Sequence, residues 1–321
     1  MNGSPIYLIW LEWPEKCFRV QPDDLRYFRS LVGEASRIVR VRSEAAFLKA
    51  LPTATHVITW HFRREWFALA PALRLVATPA AGRELVSTHP PKGVCVHFGG
   101  FHGEIISESA LGFMLAWARG FYVVNKAPTG WPRTWISDKC YTLSGTRAIV
   151  AGYGRIGRAI GEKLAAFGVE VIGVTRHGLK SPNLSRAALK TLSPDGSLTR
   201  TLLKTADWFV MALPSTTGSD DFLNARVISN LPRRCVVVNV GRGNSVDERA
   251  LVAALSSGRL AGAYLDVCKT EPTAVGRAAC GQAIDPLNPN VPNLVLMPHA
   301  CAFAPQYVKM CFKELKDEGL I

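Results

Sequence analysis

The chain has no apolar run long enough to span a membrane. Its apolar runs are strand-sized, and IYLIWL at residues 6–11 is cut off by Glu12 and Pro14 with no basic flank ahead of it, far short of the ~20 residues a spanning helix needs and unlike a secretory signal. Eight cysteines, at 17, 95, 140, 235, 268, 280, 301 and 311, form no CxxC pair and no metal-ligand spacing. No metal is therefore expected, and scattered thiols suit a reducing, cytoplasmic location. Internal repeats and low-complexity tracts are also missing. Acidic residues are in the minority, 25 against 38 lysines and arginines, for a formal charge of +13. That balance invites a nucleic-acid partner. Yet the densest basic clusters are doublets such as Arg63-Arg64 and Arg233-Arg234, and no helix-turn-helix, zinc finger or RNP-like segment accompanies them. A protein that handles small anions explains the charge as well, so nucleic acid is not the expected partner.

What is present describes a soluble globular protein. The 321 residues are 48% hydrophobic and 20% charged, enough for two domains rather than one core. In the first hundred residues, strand candidates IYLIW (6–10), RIVRVRS (37–43), ATHVITW (54–60), LRLVATPA (73–80) and GVCVHF (93–98) alternate with DDLRYFRSLVG, SEAAFLKAL and RREWFALAP, whose apolar residues recur at helical spacing. A longer helix is expected from about Glu104 to Phe121, followed by a Pro-, Gly- and Trp-containing connection, NKAPTGWPRTW. A second alternating series runs through TRAIVA, VEVIGVT, DWFVMAL, RCVVVNV, LAGAYLDV and NLVLMPH, and the chain ends in one amphipathic helix. Such alternation predicts an α/β protein with two Rossmann-like or flavodoxin-like βα domains, each built on a parallel sheet. The expected boundaries are 1–103 plus 300–321 for a discontinuous substrate-binding domain and 104–299 for the other, with the active site in the cleft between them.

Residues 152–157 read GYGRIG, after the strand TRAIVA and before a helix whose Ile156, Ile160, Leu164 and Phe167 recur at near-helical intervals, with a further strand at VEVIGVT. A lone GxGxxG is weak, but this βαβ setting makes it a dinucleotide fingerprint. Gly152 permits the tight turn, Gly154 leaves room for the pyrophosphate, and Gly157 lets helix and strand approach, while the N–H groups around Arg155 and Ile156 face phosphate oxygens. An NAD-specific site places Asp or Glu at the end of the second strand. Here Thr175 is followed by Arg176, and no acidic residue occurs between Val171 and Pro194. A guanidinium cannot accept from a ribose hydroxyl but pairs well with a 2′-phosphate, which favours NADP over NAD. Leu213 and Pro214, leaving the strand DWFVMA, complete the expected cofactor-binding set.

Three further strands each lead to an ionisable residue. Arg242 follows VVVNVG, Glu271 follows LAGAYLDV after CKT, and His299 closes NLVLMPH. The carboxyl ends of parallel strands share one edge, where ligands bind. A guanidinium there can grip a carboxylate and polarise a carbonyl, an imidazole can exchange a proton, and a carboxylate can hold that imidazole charged.

The blocks AIVAGYGRIGRAIGEKLAAFG, DWFVMALPSTT, VVNVGRGNSVDERALVAALSSGRLAGAYLDVCKTEP and LMPHA resemble the D-isomer-specific 2-hydroxyacid dehydrogenase family over most of the chain. The resemblance implies that Arg242 binds the substrate carboxylate and carbonyl oxygen, that Glu271 supports the histidine, and that His299 is the general acid/base. It implies that Asp266 contacts the nicotinamide amide and that TPAAGRELV (78–86) is a carboxylate-binding loop with the N–H groups of Ala81 and Gly82 as donors. Arg83 beside them is either a second positive charge or a solvated side chain. Glu271 is matched by its EP dipeptide, because the segment before His299 is longer than in most relatives, and the return segment after the last strand is short. The implied activity is NADPH- or NADH-dependent reduction of a small 2-oxo acid, such as glyoxylate or hydroxypyruvate, to the 2-hydroxy acid, in a homodimer formed through the dinucleotide-binding domain. Corepressors of this fold bind dinucleotide and recruit partners, so a dinucleotide-sensing binding protein stays open as the second reading.

Overall fold

The computed structural model describes residues 4–83, 85–123, 128–175, 198–271, 284 and 290–321, and the backbone of 187–191. The chain divides into two compact units, Met1–His102 with Phe303–Ile321, and Gly103–Ala302.

The first unit carries β1 (Ile6–Trp10), α1 (Pro22–Val32), β2 (Arg37–Arg40), α2 (Glu44–Ala50), β3 (His56–Thr59), β4 (Leu75–Thr78) and β5 (Cys95–Phe98). All five strands are parallel, in the order β2-β1-β3-β4-β5, which is the flavodoxin-like winding. The helices start where side chains can satisfy their first N–H groups. Pro22 opens α1 behind a capping box between Gln21 and Asp24, and the Ser43 hydroxyl caps α2. Leu8, Val57 and Val76 are fully buried on one face of this sheet with Phe47, Phe62 and Trp66. Trp60 is also buried and donates its indole N–H to the Phe18 carbonyl, a packing role. The segment RREWFALAP winds only as a 3₁₀ helix over Arg64–Leu69, because Ala70 leaves the helical region and Pro71 has no N–H to continue it.

The second unit opens with α3 (His102–Ala118), which ends earlier than its apolar composition predicts because Gly120 turns the chain at φ +72. The connection after it contains a short α4 (Arg133–Ser137). Then come β6 (Arg147–Ala151), α5 (Arg155–Ala166), β7 (Glu170–Thr175), β8 (Ala187–Thr191), α6 (Arg200–Leu203), β9 (Trp208–Met211), α7 (Ala225–Asn230), β10 (Val236–Asn239), α8 (Glu248–Ser256), β11 (Gly262–Leu265) and β12 (Leu294–Leu296). Their seven-stranded parallel sheet has the order β12-β11-β10-β9-β6-β7-β8. This is the Rossmann winding with one added strand, and the order reverses between β6 and β9. Side chains alternate across it: Ile149, Phe209, Val237 and Ala263 join one buried cluster, and Val150, Trp208, Val238 and Tyr264 the other. A sheet buried on both faces explains the near-continuous apolar runs. The edge strand β8 lacks that signature, since AALKT has a lysine and one β-branched residue, and its sequence does not announce it. Phe167 departs from the expected stripe. It lies past the end of α5 and is 46% exposed, since Gly168 at φ +76 already turns the chain away.

The chain then returns to the first unit as α9 (Tyr307–Asp317), whose Val308, Phe312 and Leu315 are buried. Among the described residues, no helix is long and apolar enough to cross a membrane.

Candidate functional site

The register aligns Asn239 with Leu265 and Leu265 with Leu296, so β10, β11 and β12 end side by side. Arg242, Glu271 and His299 stand in the loops that leave those three ends. The structure brings the last two into contact: His299 Nδ1 lies 2.9 Å from Glu271 Oε2. That hydrogen bond raises the imidazole pKa above its ordinary value, against partial burial and the opposing charge of Arg242. Both side chains are roughly half exposed, so the pair meets solvent rather than the core.

Each loop is held by side chains that reach back to its main chain. The amide of Asn239, fully buried, accepts from Gly241 N–H at 3.0 Å and donates to the Arg242 carbonyl at 3.2 Å. Ser245, also buried, donates to the same carbonyl at 2.7 Å. His299 has a positive φ of 53, a conformation that costs a non-glycine residue about 1–2 kcal/mol. Asp266 offsets that strain. Its carbonyl accepts the His299 N–H at 2.8 Å, and its Oδ1 accepts from Ala300 and Cys301, each at 2.9 Å. Asn239 and Ser245 carried no site role in the sequence. The available signal was a lone asparagine in a valine run, since a buried amide must find partners.

The glycine turn has the features a pyrophosphate needs. Gly152 lies at φ +88, and a Cβ there would stand 2.5 Å from the Ala212 carbonyl oxygen; a Cβ on Gly157 would strike the Gly152 carbonyl. A Cβ on Gly154, the N-cap of α5, would meet nothing within 4 Å among the described residues. Arg155 is exposed at the first helical position, and Ile156 is half-buried. Thr175 closes β7 with a buried hydroxyl, and among the described residues neither it nor the buried Asp266 Oδ2 has a hydrogen-bond partner. Leu213 and Pro214 leave β9 on the other side of the strand-order reversal, the first half-buried and the second exposed. The helix N-terminus at Gly154 and these two buried oxygens fit a bound dinucleotide. Arg176 lies outside the described residues. If the turn is built as this packing indicates, Gly152→Ala destabilises the unit by about 2 kcal/mol or more, from the left-handed backbone and the clash together. A melting curve several degrees below wild type, with weaker dinucleotide binding by fluorescence titration, is the expected result.

In the first unit, Ala81, Gly82 and Arg83 follow the carboxyl end of β4. Ala81 and Arg83 are exposed, and the Arg83 guanidinium rests 5.4 Å from the centre of the Phe98 ring. Trp131, in the connection before α4, is 86% exposed, and Trp135 carries the Lys139 ammonium over its ring at 4.7 Å. Cys268, beside Glu248 and Glu271, has its thiol pushed up to about 12 by burial and those carboxylates, which leaves it a neutral packing group rather than a nucleophile.

Residues 111–301 match the family profile of the D-isomer specific 2-hydroxyacid dehydrogenase, NAD binding domain. A glycerate dehydrogenase of Methylorubrum extorquens is 24% identical over 257 residues, 77% of this chain and 75% of that protein. Two solved structures share the fold. The D-isomer specific 2-hydroxyacid dehydrogenase of Lactobacillus delbrueckii ssp. bulgaricus in its NAD complex has a TM-score of 0.76 at 17% identity, covering 98% of this chain and 96% of that one. The NADPH-dependent glyoxylate/hydroxypyruvate reductase of Sinorhizobium meliloti, in complex with citrate, has a TM-score of 0.66 at 24% identity, covering 98% and 93%. With the profile spanning more than half of its length, the chain belongs to the D-isomer specific 2-hydroxyacid dehydrogenases, a family of NAD(P)-dependent oxidoreductases.

Proposed function

We propose that this enzyme reduces a small 2-oxo acid to the 2-hydroxy acid, with NADPH as the preferred reductant. The observation that carries the reading is the 2.9 Å contact between His299 Nδ1 and Glu271 Oε2, on the sheet edge that also bears Arg242. When bound, the dinucleotide supplies the hydride. Everything else falls to the chain. Gly152, Gly154 and Gly157 and the N–H groups at the start of α5 hold the pyrophosphate, and the buried Asp266 Oδ2 offers an acceptor to the carboxamide. Arg242 binds the substrate carboxylate and neutralises the charge that develops on the carbonyl oxygen. Glu271 engages Nδ1, which orients the ring and leaves Nε2 to deliver a proton to that oxygen. The N–H groups of Ala81 and Gly82 are proposed to take part in carboxylate binding.

The preference for NADPH rests on the residue that succeeds β7. That strand runs to Thr175, and Arg176 then stands where NAD-specific relatives of this fold place a carboxylate. Glyoxylate and hydroxypyruvate head the substrate class, since the Sinorhizobium meliloti fold neighbour is named for them. A spectrophotometric panel of 2-oxo acids with NADPH and with NADH tests the whole reading. Loss of reduced-cofactor absorbance with short 2-oxo acids, faster with NADPH, is expected. Turnover with no acid of the panel would instead favour a dinucleotide-sensing binding protein, and a preference for NADH would remove the arginine from cofactor selection.

A further inference from the structure

The loop that carries Glu271 is anchored from elsewhere in the second unit. Glu248 begins α8, directly after its N-cap Asp247, yet its side chain is buried instead of solvated. Its Oε1 accepts the backbone N–H of Lys269 at 2.7 Å. Burial raises the carboxyl pKa, opposed by that hydrogen bond and by the Lys269 charge, and Asp221 adds to the rise. Lys269 in turn pairs through Nζ with Asp221 at 2.5 Å. Next to it, the Cys268 N–H reaches Glu271 Oε1 at 3.4 Å, and the Cys268 carbonyl packs against Gly243 so closely that a Cβ on that glycine would overlap it. The turn after Arg242 and the loop before Glu271 therefore touch, and Glu248 reaches from α8 to hold that loop by its main chain.

We propose that Glu248 is a positioning residue for the reaction: by binding the Lys269 N–H it sets the Cys268–Glu271 turn so that the Glu271 carboxylate meets His299. A buried carboxyl is costly to keep unless it does something the surrounding apolar groups cannot. Here a helix N-terminus and one N–H stabilise it, and what it holds in place is the chain leading to the general acid's partner. An acceptor is required and a full charge is not, because the bond is to a backbone amide. The proposal rests on the reading of Glu271 and His299 as a functional pair.

The test compares Glu248→Ala, Glu248→Gln and Glu271→Gln with wild type in the full chain. One readout is the His299 imidazole titration followed by NMR on histidine-labelled protein, with His299→Asn identifying the resonance. The other is the upper pH limb of kcat/KM for reduction. The groups facing His299 are Glu271, Asp266 and Arg242, and the Glu271→Gln variant sets the displacement expected when the first of them is lost. Glu248→Ala is expected to move both the titration and the limb down in pH, by most of the displacement that Glu271→Gln produces. Glu248→Gln, which keeps an acceptor, restores wild-type positions. Far-ultraviolet circular dichroism separates a misfolded Glu248→Ala from a folded one, and if that variant does not fold, Glu248→Asp, which shortens the reach by one methylene, carries the same expectation. An unmoved imidazole in the folded variant, or identical behaviour of the alanine and glutamine variants, overturns the proposal while leaving the pair intact. An unmoved imidazole in Glu271→Gln overturns the pair itself, and the positioning role with it.

Discussion

Arg242→Ala is expected to lower kcat/KM for 2-oxo acid reduction by roughly a hundred- to several-thousand-fold, the equivalent of about 3–5 kcal/mol. The size reflects the interaction removed. A guanidinium gripping a carboxylate makes two charge-assisted hydrogen bonds, and loss of one partner leaves the other charged group desolvated and unpaired. Arg242 is half-buried, and its backbone is pinned by Asn239 and Ser245, so the side chain projects from a preset point rather than sampling solvent. Truncation of the side chain removes the guanidinium's 3.0 Å bond to the Gly241 carbonyl, but the bonds from Asn239 and Ser245 involve the Arg242 carbonyl and survive it. Melting temperature should therefore move little while steady-state kinetics collapse. Arg242→Lys, which keeps the charge and loses the planar fork, should fall between the two. A kcat/KM within a few-fold of wild type in the alanine variant would take Arg242 out of the mechanism.

His299→Asn is the second large effect, expected to reduce kcat by about 10²- to 10⁴-fold with little change in fold or dinucleotide affinity. Asparagine is the informative replacement because His299 sits at φ 53, a region asparagine tolerates better than most residues. The backbone turn and its bonds to Asp266 can persist while the proposed proton donor is lost. The pH dependence of the wild type has a definite sign. Glu271 raises the imidazole pKa, so the ring stays protonated past its ordinary titration range. With His299 as the proposed proton donor, reduction should be flat below the raised pKa and fall about tenfold per pH unit above it; oxidation of the 2-hydroxy acid should show the mirror-image limb. Linkage runs the same way. The stability that the His299–Glu271 pair contributes is fully present below the unfolded imidazole pKa and is lost as pH rises through the folded one. An asparagine variant that keeps the wild-type rate and pH profile would leave the proton donor elsewhere.

How much of this is legible in the sequence depends on whether the signal is local. The strands β1, β3, β6, β7, β9 and β10 announce themselves as apolar runs because they lie inside sheets covered on both faces. GYGRIG announces itself because three glycines at fixed offsets answer three steric demands within a single turn, of which Gly152 beside Ala212 and Gly157 beside the Gly152 carbonyl are visible in the packing. The edge strand β8 does not, since one flank of an edge strand needs no partner. RREWFALAP suggests a helix by spacing, and the proline after Ala70 shortens it to a 3₁₀ turn. Phe167 matches the periodicity of α5 by number alone, one residue past the point where the helix ends.

The residues that hold the site together leave a fainter trace. Asp266 grips the His299 turn from 35 residues away, and Glu248 grips Lys269 from 21. Neither bond has a sequence spacing, because nothing in a strand–loop–helix repeat dictates which distant N–H a carboxylate will find. Periodicity and turn sterics, acting over a few residues, were enough for the α/β class, the glycine turn, and the placing of Arg242, Glu271 and His299 after successive strands. It took the folded chain to establish that β10, β11 and β12 end in register, that the His299 imidazole meets the Glu271 carboxylate, and that Asp266 stabilises a left-handed histidine. These depend on sheet order and on hydrogen bonds closed across long stretches of chain, which no local pattern encodes.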